Sequence, residues 1–205
     1  MIPAMTMHGG STVAEQLAAF AVGQQVADGP RHEAARLLLN QLKASVAAAG
    51  HPAIAALHGW VQEKGATGRP ATVLWLGTRV AAEDAAALNG ALFEVLDFNE
   101  THIPTYVHAT SAVAPAVLAE AERAGTGGRE LLDALAIGLE VDLALSTMLM
   151  PGAYVRGWTP GTLVGGIGAA AAVARLRGLD ARTTAQALAI AMTGATGAME
   201  AIGST

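Results

Sequence analysis

The chain has 205 residues and a mass of 20.6 kDa, with 52% hydrophobic residues, 14% charged residues and a mean hydropathy of +0.40. So apolar a composition excludes an intrinsically disordered chain, which lacks the buried area to offset the entropy of ordering. A formal charge of −5 with two lysines, Lys43 and Lys64, excludes a basic face for nucleic acid, and the lack of cysteine excludes disulfides and thiolate chemistry. A reducing, cytoplasmic setting is the expectation. Residues 1–8 carry neither the basic nor the apolar region of a secretory signal.

Thr12 and Glu15 have the spacing of a capping box, and Val13, Leu17, Phe20 and Ala21 follow at helical intervals. Gly29-Pro30 is expected to stop that helix. A second helix is expected from about Arg31 to Gly50, with Leu38, Leu42 and Val46 on one face. Pro52 suits the first turn of a third helix that carries Leu57 and Val61. Residues 65–70 read as a polar turn. Residues 72–76 have the composition of a short strand, though one strand is no sheet. Helices are then expected over residues 81–96, 111–124, 129–150, 162–176 and 183–192. The run 161–174 is short of the ~18–20 residues that span a bilayer. Its glycines read as permission for close helix crossing. No repeat, linker or shift in composition divides the chain. The expectation is an all-α, multi-helix bundle.

Two breaks interrupt the helical pattern. Between residues 97 and 108 the first gathers Asp97, Glu100, Thr101, His102 and His108. Loops held on a rigid scaffold are where binding groups concentrate, and a carboxylate, a hydroxyl and an imidazole together can move protons and hold a carboxylate. The same residues also suit a solvated loop in which Asp97 or Thr101 caps a turn. Neither a His-x-x-x-His nor a Glu-x-x-His pattern is present, so no metal site is expected. His8, His32, His51 and His58 read as surface or capping residues. The second break, residues 151–161, contains Arg156, Trp158 and Thr159. Arg156 suits bidentate binding of a carboxylate or pairing with a surface acid. The glycines nearby form neither a Walker nor a Rossmann pattern, and there is no Gly-x-Ser-x-Gly elbow.

Taken in order, several segments resemble one family. Leu88-Asn89-Gly90-Ala91 leads into Leu96-Asp97-Phe98-Asn99-Glu100-Thr101-His102 and then Val107-His108. This resembles the Asn-Gly helix, the Asp-Phe-Asp-Asp-Thr segment and the downstream His of the MmgE/PrpD family. That family includes 2-methylcitrate dehydratase, cis-aconitate decarboxylase and iminodisuccinate epimerase. Gly138-Leu139-Glu140-Val141 is similar to its Gly-Tyr-Glu-Val. Arg156-Gly157-Trp158-Thr159-Pro160, Gly168-Ala169-Ala170-Ala171-Ala172 and Gly178-Leu179-Asp180 resemble its Gly-Phe-His-Pro segment and the Ala-rich helix after it. Gly197-Ala198-Met199-Glu200 and Gly203-Ser204-Thr205 resemble the approach to its catalytic Lys.

The resemblance implies that residues 1–205 are an N-terminal helical domain whose site meets an α/β lid domain, usually within a dimer. By position it places Asp97, Thr101 and His108 in the active site; with the residue reading above, Asp97 and His108 are the expected catalytic residues and Thr101, His102, Arg156, Trp158 and Thr159 the expected substrate binders, with no cofactor and no metal. Thr159 stands where many members have a His, and Asn99 and Glu100 replace two aspartates. The chain stops at Thr205, before the Lys and the lid with its own His would follow. The implied activity is that of a lyase, a dehydratase of 2-methylcitrate-like di- or tricarboxylates, acting by proton abstraction beside a carboxylate. An epimerase or decarboxylase of a related dicarboxylate, or a non-catalytic helical assembly module, are the alternatives. The expected partners are that substrate, a second copy in a homodimer or larger homo-oligomer, and a lid domain on a separate polypeptide. Neither nucleic acid nor membrane is expected. The apolar runs 161–174 and 185–199 are expected to exceed what one chain can bury, which is the basis for the dimer.

Overall fold

The computed structural model describes residues 10–64 and 70–199. The N-terminal segment with His8, residues 65–69 of the expected polar turn, and residues 200–205 before the expected Lys lie outside the described residues. The first helix, α1 (Val13–Gly23), begins where Thr12 caps it. The Thr12 hydroxyl accepts from the Glu15 N–H at 3.2 Å, and the Glu15 carboxylate accepts from the Thr12 N–H at 2.7 Å. Leu17 and Ala21 are fully buried, as their spacing predicts.

Helix α2 (Asp28–Ala48) starts earlier than expected. Gly29-Pro30 does not follow α1 as a stop. It sits in the first turn of α2, where the missing proline N–H has no partner to lose. The fully buried face of α2 is small and polar: Ala34, Gln41, Ala44, Ser45 and Ala48. Leu38 and Leu42 pack beside the core, but Val46 is 55% exposed and does not share their face. Helix α3 (Pro52–Lys64) has Pro52 in its first turn, and His51 Nδ1 accepts the Ala53 N–H at 3.2 Å, a capping role.

The expected lone strand is half of a hairpin. Strands β1 (Pro70–Val73) and β2 (Thr78–Ala81) pair antiparallel, from Pro70 opposite Ala81 to Val73 opposite Thr78. The chain reverses through Trp75 and Gly77, both at φ 65°. Two strands alone are marginal in water, so this pair needs a support. Helix α4 (Ala82–Glu94) supplies it through buried Asn89, whose Nδ2 donates to the Thr72 carbonyl at 3.0 Å and whose Oδ1 accepts from the Leu74 N–H at 2.9 Å. The Asn-Gly pair therefore holds the hairpin with Asn89, while Gly90 lets the Pro115 ring approach to about van der Waals distance.

Helices α5 (Ala109–Ala124), α6 (Gly128–Leu149), α7 (Pro160–Leu176) and α8 (Ala181–Thr193) follow, with a 3-10 turn at Tyr154–Arg156. The described residues form a mostly helical structure with one small hairpin. At its centre α5, α6 and α7 cross on glycine. A Cβ on Gly138 would lie 2.6 Å from a Val113 methyl and 2.8 Å from both the Gly168 carbonyl and Ala172. One on Gly165 would lie 2.6 Å from Ala112. Gly165 and Gly168 thus serve the close crossing read from the sequence, and Gly138 is their partner on α6. Val164, Ile167, Ala171, Ala172 and Ala174 of α7 are buried inside the bundle, while Leu163, Ala169, Ala170 and Val173 are partly buried and Ile190 of α8 is exposed. No helix among the described residues is long and apolar enough to cross a membrane.

The two ends of this three-helix unit differ. At one end buried Glu120 accepts from Arg123 at 2.6 and 2.8 Å and from Arg177 at 2.8 and 3.0 Å. Those guanidinium donors hold its carboxyl down at about 2. At the other end Gly161, in the first turn of α7, lies 3.8 Å (measured to its would-be Cβ) from the Val107 side chain. The two breaks in the helical pattern meet there.

Candidate active site

After α4 the Asp97 N–H donates to the Glu94 carbonyl at 2.8 Å, and Asp97 takes φ 48°. Asp tolerates this left-handed region better than most residues, so the chain can turn sharply out of the helix. The loop then closes on itself. The His102 N–H donates to the Val107 carbonyl at 3.0 Å, the Thr105 and Tyr106 N–H groups both donate to the His102 carbonyl, and His102 Nδ1 meets the Thr105 hydroxyl at 2.7 Å. This small closure delivers His108 to the start of α5, half-buried, with the exposed Asp97 and Thr101 beside it.

His108 is held at one nitrogen. Its Nδ1 lies 2.7 Å from the Glu100 carbonyl and 3.4 Å from the Thr101 hydroxyl. A carbonyl only accepts, so Nδ1 carries the proton that it donates there. Nε2 is then the lone-pair nitrogen of the neutral ring, and it lies 3.5 Å from Asp97 Oδ1. The three residues expected from the sequence as active-site Asp, Thr and His thus converge. Glu94 joins them from the last turn of α4, and atoms of Glu94, Asp97 and His108 lie within 4.8 Å of one another. Such a trio can hold a divalent cation, but Glu94 and Asp97 are exposed and the Asn99 amide already donates to Glu94 at 2.6 Å. Exposed acids of this kind are common without an ion.

Behind the loop lies a buried polar layer. The Glu100 carboxylate accepts the Thr110 N–H at 2.9 Å in the first turn of α5, and the Gln41 amide of α2 donates closely to its other oxygen. Asp142 of α6, fully buried, accepts from the Ser146 hydroxyl at 3.2 Å. Burial raises its carboxyl to about 7, with the Glu100 charge adding to the shift and Ser146 opposing it. Gln41 Oε1, Thr110 Oγ1 and Asp142 Oδ2 are buried without hydrogen-bond partners. Buried polar atoms are nearly always paired, and exceptions gather where structure serves something other than stability.

On the α2 side of the loop a cleft of about 390 Å³ is lined by Arg36, Asn40, Lys43, Phe98 and Glu100. The Lys43 ammonium lies 4.3 Å from the centre of the Phe98 ring, and Arg36 pairs with Glu33 at 2.6 Å. The second break contributes differently. Arg156 Nη1 donates to the Gly152 carbonyl at 2.9 Å, and Thr159 caps α7, its hydroxyl 2.5 Å from that of Thr162. Trp158 pairs with Ala198, and the Thr159 N–H donates to the Gly197 carbonyl at 3.0 Å. Residues 197–199, the described part of the segment that resembles the approach to a catalytic Lys, therefore run beside Trp158 and Thr159.

The MmgE/PrpD N-terminal domain matches residues 15–205. The chain belongs to the MmgE/PrpD family. It is also 33% identical over 138 residues to the cis-aconitate decarboxylase-like protein oryM of Aspergillus oryzae (strain ATCC 42149 / RIB 40). The matched stretch covers 63% of this chain and 29% of that relative, so the chain spans well under two thirds of the relative's length. Residues of the MmgE/PrpD fold that sequence reasoning missed are Gln41, Glu94 and Asp142. Asp142 left a signal: it is the one ionisable residue at the Gly138, Asp142, Ser146 spacing, which lines one face of an otherwise apolar stretch. Gln41 left none, because its role depends on a loop almost sixty residues away.

Proposed function

We propose that the chain is the helical part of an MmgE/PrpD-type lyase that acts on a small di- or tricarboxylate. The convergence of Asp97, Thr101 and His108 in one loop, in a member of this family, carries the reading. In the leading form, His108 Nε2 takes a proton from the carbon beside a substrate carboxylate, and Asp97 stabilises the imidazolium that results. The electron pair left on carbon forms the new double bond as the neighbouring hydroxyl departs. The imidazolium then gives its proton to that hydroxyl, which leaves as water. The Thr101 hydroxyl, only loosely placed against Nδ1 at 3.4 Å, is free to donate to a carboxylate. His102, Arg156, Trp158 and Thr159 are its proposed companions in binding, and 2-methylcitrate-like acids are the proposed substrates.

A second reading, decarboxylation, is favoured by the relative named above. There the same imidazolium protonates the carbon that loses carbon dioxide. Leu96, Phe98, Ile103 and Tyr106 of the loop region are exposed, between 40% and 69%, which supports a covering lid domain or a second copy of the chain over the site. The proposed setting is a reducing, cytoplasmic one. The test is a panel of 2-methylcitrate, cis-aconitate and iminodisuccinate, offered to the chain together with any downstream half that is encoded. Turnover of one of them that Asp97→Ala abolishes supports the reading. No turnover, or full turnover by Asp97→Ala, overturns it.

A further inference from the structure

The proton-exchanging nitrogen of a histidine is selected by whatever holds the other nitrogen. In free imidazole side chains the proton favours Nε2, which would leave no base facing Asp97. Here the opposite tautomer is imposed by a backbone carbonyl, and a loop carbonyl can impose it only if the loop is itself fixed. Residues 96–98 are exposed and give the loop little anchorage. Glu100 is fixed from two sides: one carboxylate oxygen caps α5 at the Thr110 N–H, and the other receives the amide of Gln41, which is fully buried on α2. Its carbonyl, 2.7 Å from His108 Nδ1, follows from those anchors.

We propose that Glu100, anchored by Gln41 and the Thr110 N–H, is the positioning residue that fixes His108 as the Nδ1–H tautomer and so leaves Nε2 as the exchanging atom. The inference deepens the reading of His108 as a proton carrier and rests on it for its catalytic meaning. The tautomer, however, is read without any turnover. The chemistry accounts for the side chains chosen. A carboxylate accepts at both oxygens, so it bridges a helix N-terminus and an amide donor at once. Glutamine at this position keeps the shape, and because Gln41 Oε1 has no partner, a turned Gln41 amide can accept from the new NH₂. Alanine keeps neither anchor.

The experiment is long-range 1H–15N correlation on histidine-labelled complete polypeptide, at a pH where His108 is neutral. His108→Gln assigns its signals. The expected result is a protonated Nδ1 and a bare Nε2 in the parent protein, retained in Glu100→Gln. Glu100→Ala is expected to move the signals toward the Nε2–H tautomer, with turnover falling roughly 10- to 100-fold, the range for loss of a partner that orients a functional histidine. Glu100→Gln should restore most of it. A His108 that is Nε2–H in the parent protein, readable even if Glu100→Ala fails to fold, overturns the proposal. So does an unchanged tautomer in a folded Glu100→Ala. Absence of turnover on any substrate with the Nδ1–H tautomer present would overturn the lyase reading and leave the positioning role standing.

Discussion

Two buried acids at opposite ends of the same helices have opposite environments. Glu120 has four guanidinium contacts and titrates at about 2, whereas Asp142 has one weak hydroxyl partner and titrates at about 7. The Glu120 end is built as a scaffold: the carboxylate is paired at both oxygens and its ion pairs tie α5 to α7. The loop end keeps unpaired polar atoms on α2, α5 and α6, a left-handed Asp97 and a half-buried imidazole whose Nε2 faces Asp97. The contrast lies in the carboxylates: Glu120 is paired at both oxygens, whereas Asp142 Oδ2 is buried with no partner.

The largest expected effect on stability is at the crossing between the two ends. Gly138→Val should destabilise by ~3 kcal/mol or more, because the atoms it meets include the Gly168 backbone, which cannot turn aside. Gly166 has open space around its would-be Cβ, so Gly166→Ala should stabilise by about 0.5–1 kcal/mol through helix propensity. Urea unfolding of the pair checks both signs. Equal effects would mean that the crossing is not as tight as drawn.

Glu120 comes next. Its folded pKa lies below the unfolded value, so its stabilisation is present above about 4.5 and is lost as pH falls toward about 2. With the arginines partly in solvent, the contribution is on the order of 2 kcal/mol. Glu120→Gln should lose that amount at pH 7 and match the parent below pH 2 to 3, measured by thermal midpoints across the range. Asp142 runs the other way. Its folded pKa is raised from 3.8 to about 7, so the folded state loses stability as pH rises through that window. Asp142→Asn should therefore be neutral near pH 4 and more stable than the parent at pH 8, by on the order of 4 kcal/mol at most. A variant that is less stable at pH 8 would show that the ionised carboxylate is paired after all.

Much of the scaffold was legible because helices repeat. Leu17 and Ala21 read as core, the Thr12–Glu15 cap read as a start, and Gly165 and Gly168 read as places of close helix crossing. The errors came where a residue's meaning depends on distant partners. Gly29-Pro30 stops a helix or starts one equally well by composition, and only the position of α1 decides. Ala81 reads as the start of α4, and Thr78-Arg79-Val80 carry no strand signal; they form β2 only because β1 is present to pair them. Val46 has the period of a core residue, yet the core of α2 is Ala44, Ser45 and Ala48, because α4 and Trp75 approach from that side; the Trp75 indole donates to Ser45 at 2.7 Å. Of the site, the loop's chemistry was legible from residue types crowded into a break. Its buried support by Gln41, Glu100 and Asp142 was not, since that layer draws on three separate helices and the loop.

The smallest expected effect on stability falls on the exposed acid of the site. Asp97→Asn keeps the tolerance for φ 48° and should shift the unfolding free energy by less than ~0.5 kcal/mol in a denaturant titration. A larger loss would assign Asp97 to the turn rather than to the chemistry.

The contrast between the two ends is tested most directly by turnover and thermal midpoint measured together on His108→Gln, in the complete polypeptide with whichever carboxylate of the panel is consumed. Glutamine can still donate toward the Glu100 carbonyl but cannot exchange a proton near neutral pH. The account predicts a loss of turnover of roughly 100-fold or more with the midpoint nearly unchanged. Turnover close to that of the parent, or a collapse of the midpoint as large as that of Glu120→Gln, would contradict the claim that the loop end is spent on chemistry.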